Sequence, residues 1–343
     1  MPTLRCGHGA PDRVTSARFR RPEPGVIRTV LRMKRTTRTT RSTVTRSTGA
    51  MVAAAVLVLT SLTIPAGADP SGPRCLTDRL DRLRALHGRL DALALDGRAG
   101  AGQYWYVDHR RCTVTLATLR GAADPLTTAF LAAARLVPAL VEITEVDTPM
   151  RPRVARAPAS EAAPRPAAGF HGGSTLYSGL TGTVFICTAG FNGYRPHTTT
   201  TAGHCAHDAS TWYDGTGTRI GTVGDSRFPG ADWAIIPGAD GVTLAPDILD
   251  GNATTTITAF GRPRLNDRVC GTGASSGTRC GTIDAVDVTV NYPEGPVTGL
   301  ARSTQSGAAG DSGGPVHTGS TGVALISGGP TEGAPTFVQP LNF

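Results

Sequence analysis

The composition of the chain changes at Gly172, and this change restricts the fold of the second half. From Gly172 to Phe343 glycine and threonine dominate, and helix-forming runs are absent. Short apolar or β-branched runs recur about every ten residues between glycine-containing turns. This pattern predicts an all-β region, and about 170 residues are enough to bury a core of their own.

A glycine-rich hexapeptide, Gly310-Asp311-Ser312-Gly313-Gly314-Pro315, lies in this region. A serine hydroxyl is a poor nucleophile at neutral pH, so it needs a base to take its proton and donors to hold the oxyanion that forms on a substrate. Glycine lets the backbone bend sharply, which can direct the N–H groups of Gly310 and Ser312 at one oxygen atom. The alternative is a plain turn with an exposed serine, and a histidine motif upstream argues against it.

The upstream motif is Thr201-Ala202-Gly203-His204-Cys205, and Gly230-Ala231-Asp232-Trp233-Ala234-Ile235-Ile236 lies between the two. Taken alone, His204 would also fit a structural histidine beside a disulfide. Asp232 precedes an apolar strand, where a buried carboxylate can orient an imidazole. The order histidine, aspartate, serine is that of chymotrypsin, whereas α/β-hydrolases need a histidine well downstream of the serine. Only His317 follows Ser312, and it is too close, so a lipase-like fold is disfavoured.

Several further motifs point to one family. They are His171-Gly172-Gly173, the segment from Cys270 to Ile283, Val290-Asn291-Tyr292, Ser327-Gly328-Gly329 and Phe337-Val338-Gln339-Pro340, together with the His204 and Ser312 motifs. On these motifs, residues 170–343 resemble the bacterial secreted chymotrypsin-like serine peptidases of the alpha-lytic protease and streptogrisin family, here as a pre-pro-enzyme. The resemblance covers about half of the chain.

The resemblance implies a fold and a reaction. Two antiparallel six-stranded β-barrels are expected, the first holding His204 and Asp232, the second Ser312, with a substrate cleft between them. Ser312 would form an acyl-enzyme, His204 would transfer its proton and Asp232 would orient His204. The N–H groups of Gly310 and Ser312 would form the oxyanion hole. Neither a metal nor a cofactor is expected.

The resemblance also locates the primary specificity pocket. One wall is expected at 306–309 and the other at 327–329, with Ser306 on the floor and Ser327 also supporting Asp232. Ser306 carries no charge, Ile326 cannot pair a carboxylate, and Gly307 replaces a bulky side chain, so the pocket is predicted to be neutral and open. Cleavage after medium to large apolar residues follows, with a basic residue as the alternative if Glu332 in the shortened loop near the pocket mouth attracts one. The predicted substrate-binding residues are Ser306, Gly307, Ile326, Ser327, Gly328 and Gly329.

Two departures from the family stand out. Gly271 replaces an arginine that pairs with the acid before the nucleophile, so Asp311 needs another partner: Arg268, Arg279 or backbone donors. The second is a missing disulfide beside the pocket, since neither 306–309 nor 330–337 contains cysteine.

The cysteines indicate an oxidising compartment. Cys187 with Cys205, and Cys270 with Cys280, match disulfides of the family. Cys75 and Cys112 are left to pair upstream, and Cys6 lies in a segment expected to be removed.

The first 68 residues read as a basic leader with a signal peptide. Residues 1–68 carry 12 basic and 2 acidic side chains, whereas 169–343 carry 8 and 13, so no basic patch in the second half argues for nucleic acid. Met51 to Ile64 is an apolar run too short for a membrane anchor, and Ala66-x-Ala68 is a cleavage signal. Met33 is an alternative start. Secretion is expected, with no membrane association after the signal is removed.

Residues 69–149 are predicted to form a small α+β pro-region. Leucines at helical spacing follow Thr77, a candidate cap; 103–107 and 113–116 read as a hairpin; a helix starts at Pro125 and a strand covers 141–146. An independent accessory domain is the alternative. Residues 150–169, rich in proline and alanine, read as an exposed linker before the peptidase domain of 170–343.

The favoured function is a secreted, monomeric serine endopeptidase acting on proteins or peptides, with its own pro-region as a partner. Its alternatives are a protease-fold binding protein with little or no activity and a secreted esterase that uses the same three residues.

Overall fold

The computed structural model of the chain describes residues 75–158, 169–251 and 253–343. The predicted leader and signal peptide, Cys6 and the second half of the linker, residues 159–168, lie outside the described residues. No helix in the described part combines the length and the apolar character needed to cross a membrane.

The N-terminal unit has the elements that the sequence predicts. They are α1 (Thr77–Leu95), β1 (Gln103–Asp108), β2 (Thr113–Leu119), α2 (Pro125–Arg135) and β3 (Val141–Val146). Asp124 caps α2 by accepting a 2.9 Å hydrogen bond from the Thr127 amide, whereas Thr77, the expected cap of α1, is its first helical residue. Both helices share one buried core with the sheet, formed by residues such as Leu83, Leu90, Trp105, Leu116 and Phe130.

The strands of the remaining chain are short. Those before residue 261 are β4 (Arg151–Pro152), β5 (Ala155–Pro158), β6 (Phe170–Gly172), β7 (Thr175–Tyr177), β8 (Thr183–Thr188), β9 (Thr198–Thr201), β10 (Thr211–Tyr213), β11 (Arg219–Thr222), β12 (Asp225–Arg227), β13 (Trp233–Pro237), β14 (Leu244–Asp250), β15 (Ala253–Thr256) and β16 (Ala259–Phe260), with helix α3 (Gly203–Asp208) after β9. Those that follow are β17 (Arg268–Gly273), β18 (Gly277–Tyr292), β19 (Gly295–Ser303), β20 (Gly307–Ala308), β21 (Pro315–Thr318), β22 (Thr321–Gly329), β23 (Glu332–Gly333) and β24 (Thr336–Pro340).

The C-terminal half of the peptidase region forms a closed barrel. Its strands pair in the order β17-β21-β22-β24-β19-β18, and β18 returns to pair with β17. Val269, Ile283, Val316, Ile326 and Val338 fill its interior. The barrel has the six strands that the family resemblance implies.

The preceding half divides its strands among smaller sheets. One contains β11-β10-β7-β8 and another β12-β13-β9, and a single bridge between Gly221 and Gly238 joins strand ends of the two. A common core of Leu176, Cys187, Trp212, Ile220 and Ile236 lies between these strands. The all-β, chymotrypsin-like fold class is confirmed.

The N-terminal unit continues the sheet of the closed barrel. Strand β1 pairs antiparallel with β18, with Tyr104 opposite Val290. On β18, the side chains of Val288, Val290 and Tyr292 enter one apolar cluster. The intervening Thr289 and Asn291 hydrogen-bond to the N-terminal unit. Both faces of β18 are therefore buried from Val288 to Tyr292.

Residues 150–158 differ from the exposed linker that the composition predicts. Strand β4 pairs with β22 and β5 pairs with β8, so the segment contacts both halves of the peptidase region. Met150 is 2% exposed and Arg153 is 1% exposed. Backbone pairing with two strands that are distant in sequence therefore holds a stretch whose local composition resembles that of a linker, and buries Met150 and Arg153 within it.

Candidate active site

Three elements bring His204, Asp232 and Ser312 together. His204 lies in the first turn of α3, directly after β9, and Asp232 directly precedes β13. Because β9 and β13 pair antiparallel, with Thr201 opposite Ala234, the two side chains start from neighbouring positions. Ser312 lies in the turn before β21 of the closed barrel.

His204 bridges the other two side chains. Its Nδ1 lies 2.9 Å from Asp232 Oδ2, and its Nε2 lies 2.6 Å from Ser312 Oγ. The backbone N–H of His204 also donates to Asp232 Oδ1 at 2.9 Å, which fixes the carboxylate relative to the ring. Such an arrangement allows a hydroxyl proton to pass to an imidazole that a carboxylate orients.

Asp232 is fully buried and still favours its ionised form. Ser327 Oγ donates to Asp232 Oδ2 at 2.6 Å, and the Asp232 amide donates to Gln339 Oε1 at 2.7 Å. Burial raises the pKa of Asp232, but the charge and hydrogen bonds of His204 and the hydrogen bond from Ser327 outweigh burial, and the pKa is lowered. The carboxylate can therefore stabilise a positive charge on His204.

The backbone at Gly310 makes a two-donor site. The N–H groups of Gly310 and Ser312 both donate to the carbonyl oxygen of Arg153, at 2.5 and 3.4 Å. Gly310 has φ of +101°, and a Cβ at this position would overlap Ser275 Oγ, so only glycine fits. Two N–H groups that converge on one carbonyl oxygen have the geometry of an oxyanion hole.

The chain is similar in sequence to known bacterial serine proteases. Streptogrisin-C of Streptomyces griseus is 30% identical over 270 residues, which cover 77% of this chain and 54% of streptogrisin-C. Serine protease 2 of Streptomyces fradiae is 34% identical over 46% of this chain and 93% of its own length. Among solved structures, Thermobifida fusca protease A is 38% identical over 51% of this chain and 93% of its own, with a TM-score of 0.45. No family model matches the chain.

The chain belongs to the streptogrisin and alpha-lytic protease family of serine endopeptidases. It spans about half the length of streptogrisins C and D. The match to streptogrisin-C is longer than residues 170–343, so it extends into the region that precedes the peptidase fold.

At the family departure marked by Gly271, Asp311 has no cationic hydrogen-bond partner among the described residues. Oδ1 accepts from the amides of Ser275 and Ser276, both at 3.0 Å, and Oδ2 accepts from Ser276 Oγ at 2.6 Å and the Ala308 amide at 2.7 Å. The third of the predicted alternatives, backbone donors, is therefore the observed one, with one hydroxyl added. A Cβ at Gly271 would lie 2.6 Å from Gln305 Nε2, so Gln305 occupies the adjoining space.

The space predicted to be the specificity pocket contains the side chain of Arg153. Its guanidinium donates to the carbonyl oxygens of Gly333 (2.6 Å), Pro335 (3.3 Å) and Pro330 (3.3 Å), and to Thr336 Oγ1 (2.5 Å). A Cβ on Gly307 would overlap Arg153 Nη1, so the absence of a side chain at Gly307 makes room for the guanidinium. The preference for an apolar occupant stays a prediction, and the lining offers hydrogen-bond acceptors as well as space.

Strand β22 forms the other side of this pocket. Gly328 pairs with Pro152 and Gly329 with Arg151, and Ser327 O accepts a 3.3 Å hydrogen bond from the Arg153 amide. The predicted strand of Ser327, Gly328 and Gly329 therefore binds an extended backbone.

Two predicted pocket residues lie elsewhere. Ser306 is exposed and does not form the floor, because it is the neighbouring Gly307 that faces Arg153. Ile326 packs inside the closed barrel, with its side chain in the core. Sequence reasoning missed Thr336 and the carbonyl groups of 330–335. The signal for them was the segment 330–337 without its cysteine, which contributes backbone acceptors that side-chain chemistry does not reveal.

The three disulfides join the cysteines paired in the sequence analysis: Cys75–Cys112, Cys187–Cys205 and Cys270–Cys280. The sulfur atoms of Cys187 and Cys205 lie close to the His204 ring. Since they are bonded to each other, they provide no thiolate for a metal ion.

Proposed function

We propose that the protein is a secreted serine endopeptidase that hydrolyses peptide bonds through an acyl-enzyme on Ser312. The observation that carries this proposal is the 2.6 Å contact between His204 Nε2 and Ser312 Oγ beside two N–H groups that hold a peptide carbonyl. His204, Asp232 and Ser312 are the proposed catalytic residues, and Gly310 and Ser312 supply the proposed oxyanion hole.

The reaction begins when Ser312 Oγ attacks the carbonyl carbon and His204 accepts its proton. The oxyanion forms where the Gly310 and Ser312 amides donate, and one such donor typically contributes about 3–4 kcal/mol of transition-state stabilisation. His204 gives the proton to the leaving nitrogen, and water then hydrolyses the ester. The lowered pKa of Asp232 keeps a negative charge beside the imidazolium throughout.

Residues 69–149 act in this proposal as a pro-region, and Met150–Pro158 as an inhibitory segment. The pairing of β1 with β18 supports a role for this unit in completing the peptidase fold. The pairing of β4 with β22 supports inhibition, since it occupies the strand that a substrate would use. The protein would therefore be made as an inactive precursor.

Secretion forms the remaining part of the proposal. The apolar run before Ala68 would direct export, and three disulfides are typical of an oxidising compartment. Proteins or peptides are the proposed substrates, and the released enzyme is proposed to act as a monomer without a cofactor.

A fluorophosphonate probe tests this function directly. The processed protein should be labelled stoichiometrically on Ser312, and Ser312→Ala should abolish both labelling and peptide hydrolysis. A protein that binds peptides but is not labelled would instead be a protease-fold binding protein. A labelled protein that hydrolyses esters but leaves amides intact would be an esterase.

A further inference from the structure

Residues 151–155 cross the cleft in the manner of an uncut substrate. Arg151 and Pro152 pair with β22 of the closed barrel, and Ala155 pairs with Ile186 on β8 of the other half. Between them, the Arg153 amide donates to Ser327 O and the Arg153 carbonyl oxygen accepts from the Gly310 and Ser312 amides. This register positions the bond between Arg153 and Val154 at Ser312.

The pocket satisfies the guanidinium with acceptors on several sides. Three carbonyl oxygens and the Thr336 hydroxyl accept from Nε, Nη1 and Nη2 of Arg153, which is 1% exposed. A planar guanidinium presents its donors in a fixed fork, whereas a lysine ammonium is a compact point charge and an apolar side chain has no donors. An apolar occupant would leave these acceptors without a protein partner.

A negative charge lies behind the glycine wall of the pocket. The Cβ position of Gly307 is 3.1 Å from Asp311 Oδ2 and overlaps Arg153 Nη1, so no side chain separates the two groups. Asp311 is fully buried and belongs to none of the ion pairs among the described residues. In this chain Gly271 stands where the family has an arginine, so that arginine does not pair with Asp311. The negative charge of Asp311 can then attract the guanidinium in the pocket.

We propose that this pocket selects arginine before the cleaved bond, with Asp311 as a specificity-determining residue, and that Arg153–Val154 is the bond cut when the precursor processes itself. The proposal rests on the proposed function of Ser312. Ser312 Oγ forms an ester with the Arg153 carbonyl carbon as the Arg153–Val154 bond breaks. The proton moves from Ser312 through His204 to the Val154 nitrogen, and water hydrolyses the ester to the Arg153 carboxylate.

This cut differs from one near Phe170, where the family motif of the peptidase region begins. A product that starts at Val154 keeps β5 paired with β8. N-terminal sequencing of the purified full precursor, incubated alone, is expected to show Val154 first. A first new terminus at or next to Phe170 would overturn the assignment.

Variants of the full precursor test the pocket. Arg153→Leu is expected to slow the appearance of the new terminus at least 10-fold and Arg153→Lys to slow it less. Arg151→Leu, which changes an exposed arginine two residues away, should process at the normal rate. Equal or faster processing of Arg153→Leu would show that the pocket prefers apolar side chains. Ser312→Ala should not process, which excludes proteases of the host.

A peptide panel tests the mature enzyme. Peptides that differ only in arginine, lysine, leucine or phenylalanine before the cut should rank arginine first by kcat/KM, at least 10-fold above leucine. Thr336→Val should lower the arginine rate while sparing the leucine rate, whereas Thr318→Val, on an exposed position, should change neither. Fluorophosphonate labelling is measured first in each variant. A labelled enzyme that prefers leucine overturns the pocket proposal alone, and an unlabelled enzyme overturns the proposed function.

Docking provides a test that does not depend on turnover. In the Ser312→Ala precursor, the amides of residues 150–158 should exchange with deuterium at least 10-fold faster after Arg153→Leu, and at an unchanged rate after Arg151→Leu. Equal protection in both variants would mean that the guanidinium does not hold the segment, and would overturn the proposal even in an inactive protein.

Discussion

Ser327 donates a 2.6 Å hydrogen bond to Asp232 Oδ2, and this bond links the two halves of the peptidase region. Since the Ser327 hydroxyl donates to Asp232, the 3.0 Å contact between Tyr292 and Ser327 must have the Tyr292 hydroxyl as donor. A chain of hydrogen bonds thus runs from Tyr292 through Ser327 and Asp232 to His204. The carbonyl group of the same Ser327 binds the Arg153 amide, so one residue of β22 positions both the carboxylate and the bound backbone.

Ser327→Ala is expected to lower kcat/KM about 10-fold, because a hydrogen bond to a charged group contributes about 1.5–3 kcal/mol. KM should change less than kcat, since the Ser327 carbonyl group that binds the substrate remains.

The hydrogen bond from Ser327 also helps to lower the pKa of Asp232. The stability that ionised Asp232 contributes is present above its unfolded pKa and is lost as the pH falls through its lowered folded pKa. Ser327→Ala should move this loss to higher pH in thermal unfolding.

Ser174→Ala is the matched control for this variant. Ser174 is also buried, but its hydroxyl accepts from the His171 amide, outside the catalytic group. If Ser327→Ala and Ser174→Ala both lost stability at the same acidic pH as the parent protein, the hydrogen bond from Ser327 would have no influence on Asp232.

A second carboxylate, Asp91, joins the proposed pro-region to the peptidase region. Its Oδ1 accepts from Trp105 Nε1 and from Thr289 Oγ1 on β18, both at 2.8 Å, and His87 Nδ1 lies 3.2 Å from Oδ2. Burial raises the pKa of Asp91, but hydrogen bonds from His87, Thr289 and Trp105 outweigh it and lower the pKa. Burial lowers the pKa of His87, but Asp91 and Asp287 outweigh it and raise the pKa.

These opposite shifts predict a pH window for docking. The Asp91 contribution is present above 3.8, its usual pKa, and is lost as the pH falls through the lowered value. The His87 contribution is complete below 6.5 and is lost as the pH rises through the raised value. The protection of the β1 amides in the Ser312→Ala precursor, taken relative to the intrinsic exchange rate at each pH, should therefore be highest between these limits. Asp91→Asn should remove the window, and a pH-independent profile in the parent protein would contradict this prediction.

The parts that sequence predicted well depend on short stretches of chain. The Ser312 turn follows from its glycines, and the cap of α2 follows from Asp124 and Pro125. The strand that begins at Ser327 follows from the Ser327-Gly328-Gly329 motif. Arg153 could not be found in this way, because its partners lie 177 to 183 residues later and three of them are backbone carbonyl groups. Nothing in the proline- and alanine-rich composition of residues 150–158 distinguishes a segment that pairs with strands of the peptidase region from an exposed linker. Asp311 was half predicted: the missing arginine was visible and backbone donors were one of three alternatives, but the sequence could neither choose among them nor identify the Ser276 hydroxyl.

The disulfide between Cys75 and Cys112 is expected to stabilise the N-terminal unit. It ties the start of α1 to the hairpin across 37 residues of sequence, and closing a loop of this length contributes about 3–4 kcal/mol in the chain-entropy description. The double variant Cys75→Ser/Cys112→Ser should lower the unfolding temperature of this unit within the Ser312→Ala precursor. Equal unfolding temperatures would mean that helix and hairpin packing suffices.

Refolding of the peptidase region is expected to depend on the N-terminal unit. Strand β18 is 16 residues long, and its polar Thr289 and Asn291 are buried and hydrogen-bond to the N-terminal unit. Asn291 Nδ2 donates to Ala99 O at 3.1 Å and to Gly100 O at 2.9 Å.

Sheets with many long-range pairings form slowly, so residues 172–343 alone should recover little activity after dilution from denaturant, and residues 69–168 added in trans should restore it. Asn291→Ala should weaken this rescue several-fold, whereas Asn342→Ala, on an exposed residue, should leave it intact. Full recovery of activity by residues 172–343 without the N-terminal unit would show that the closed barrel folds unaided.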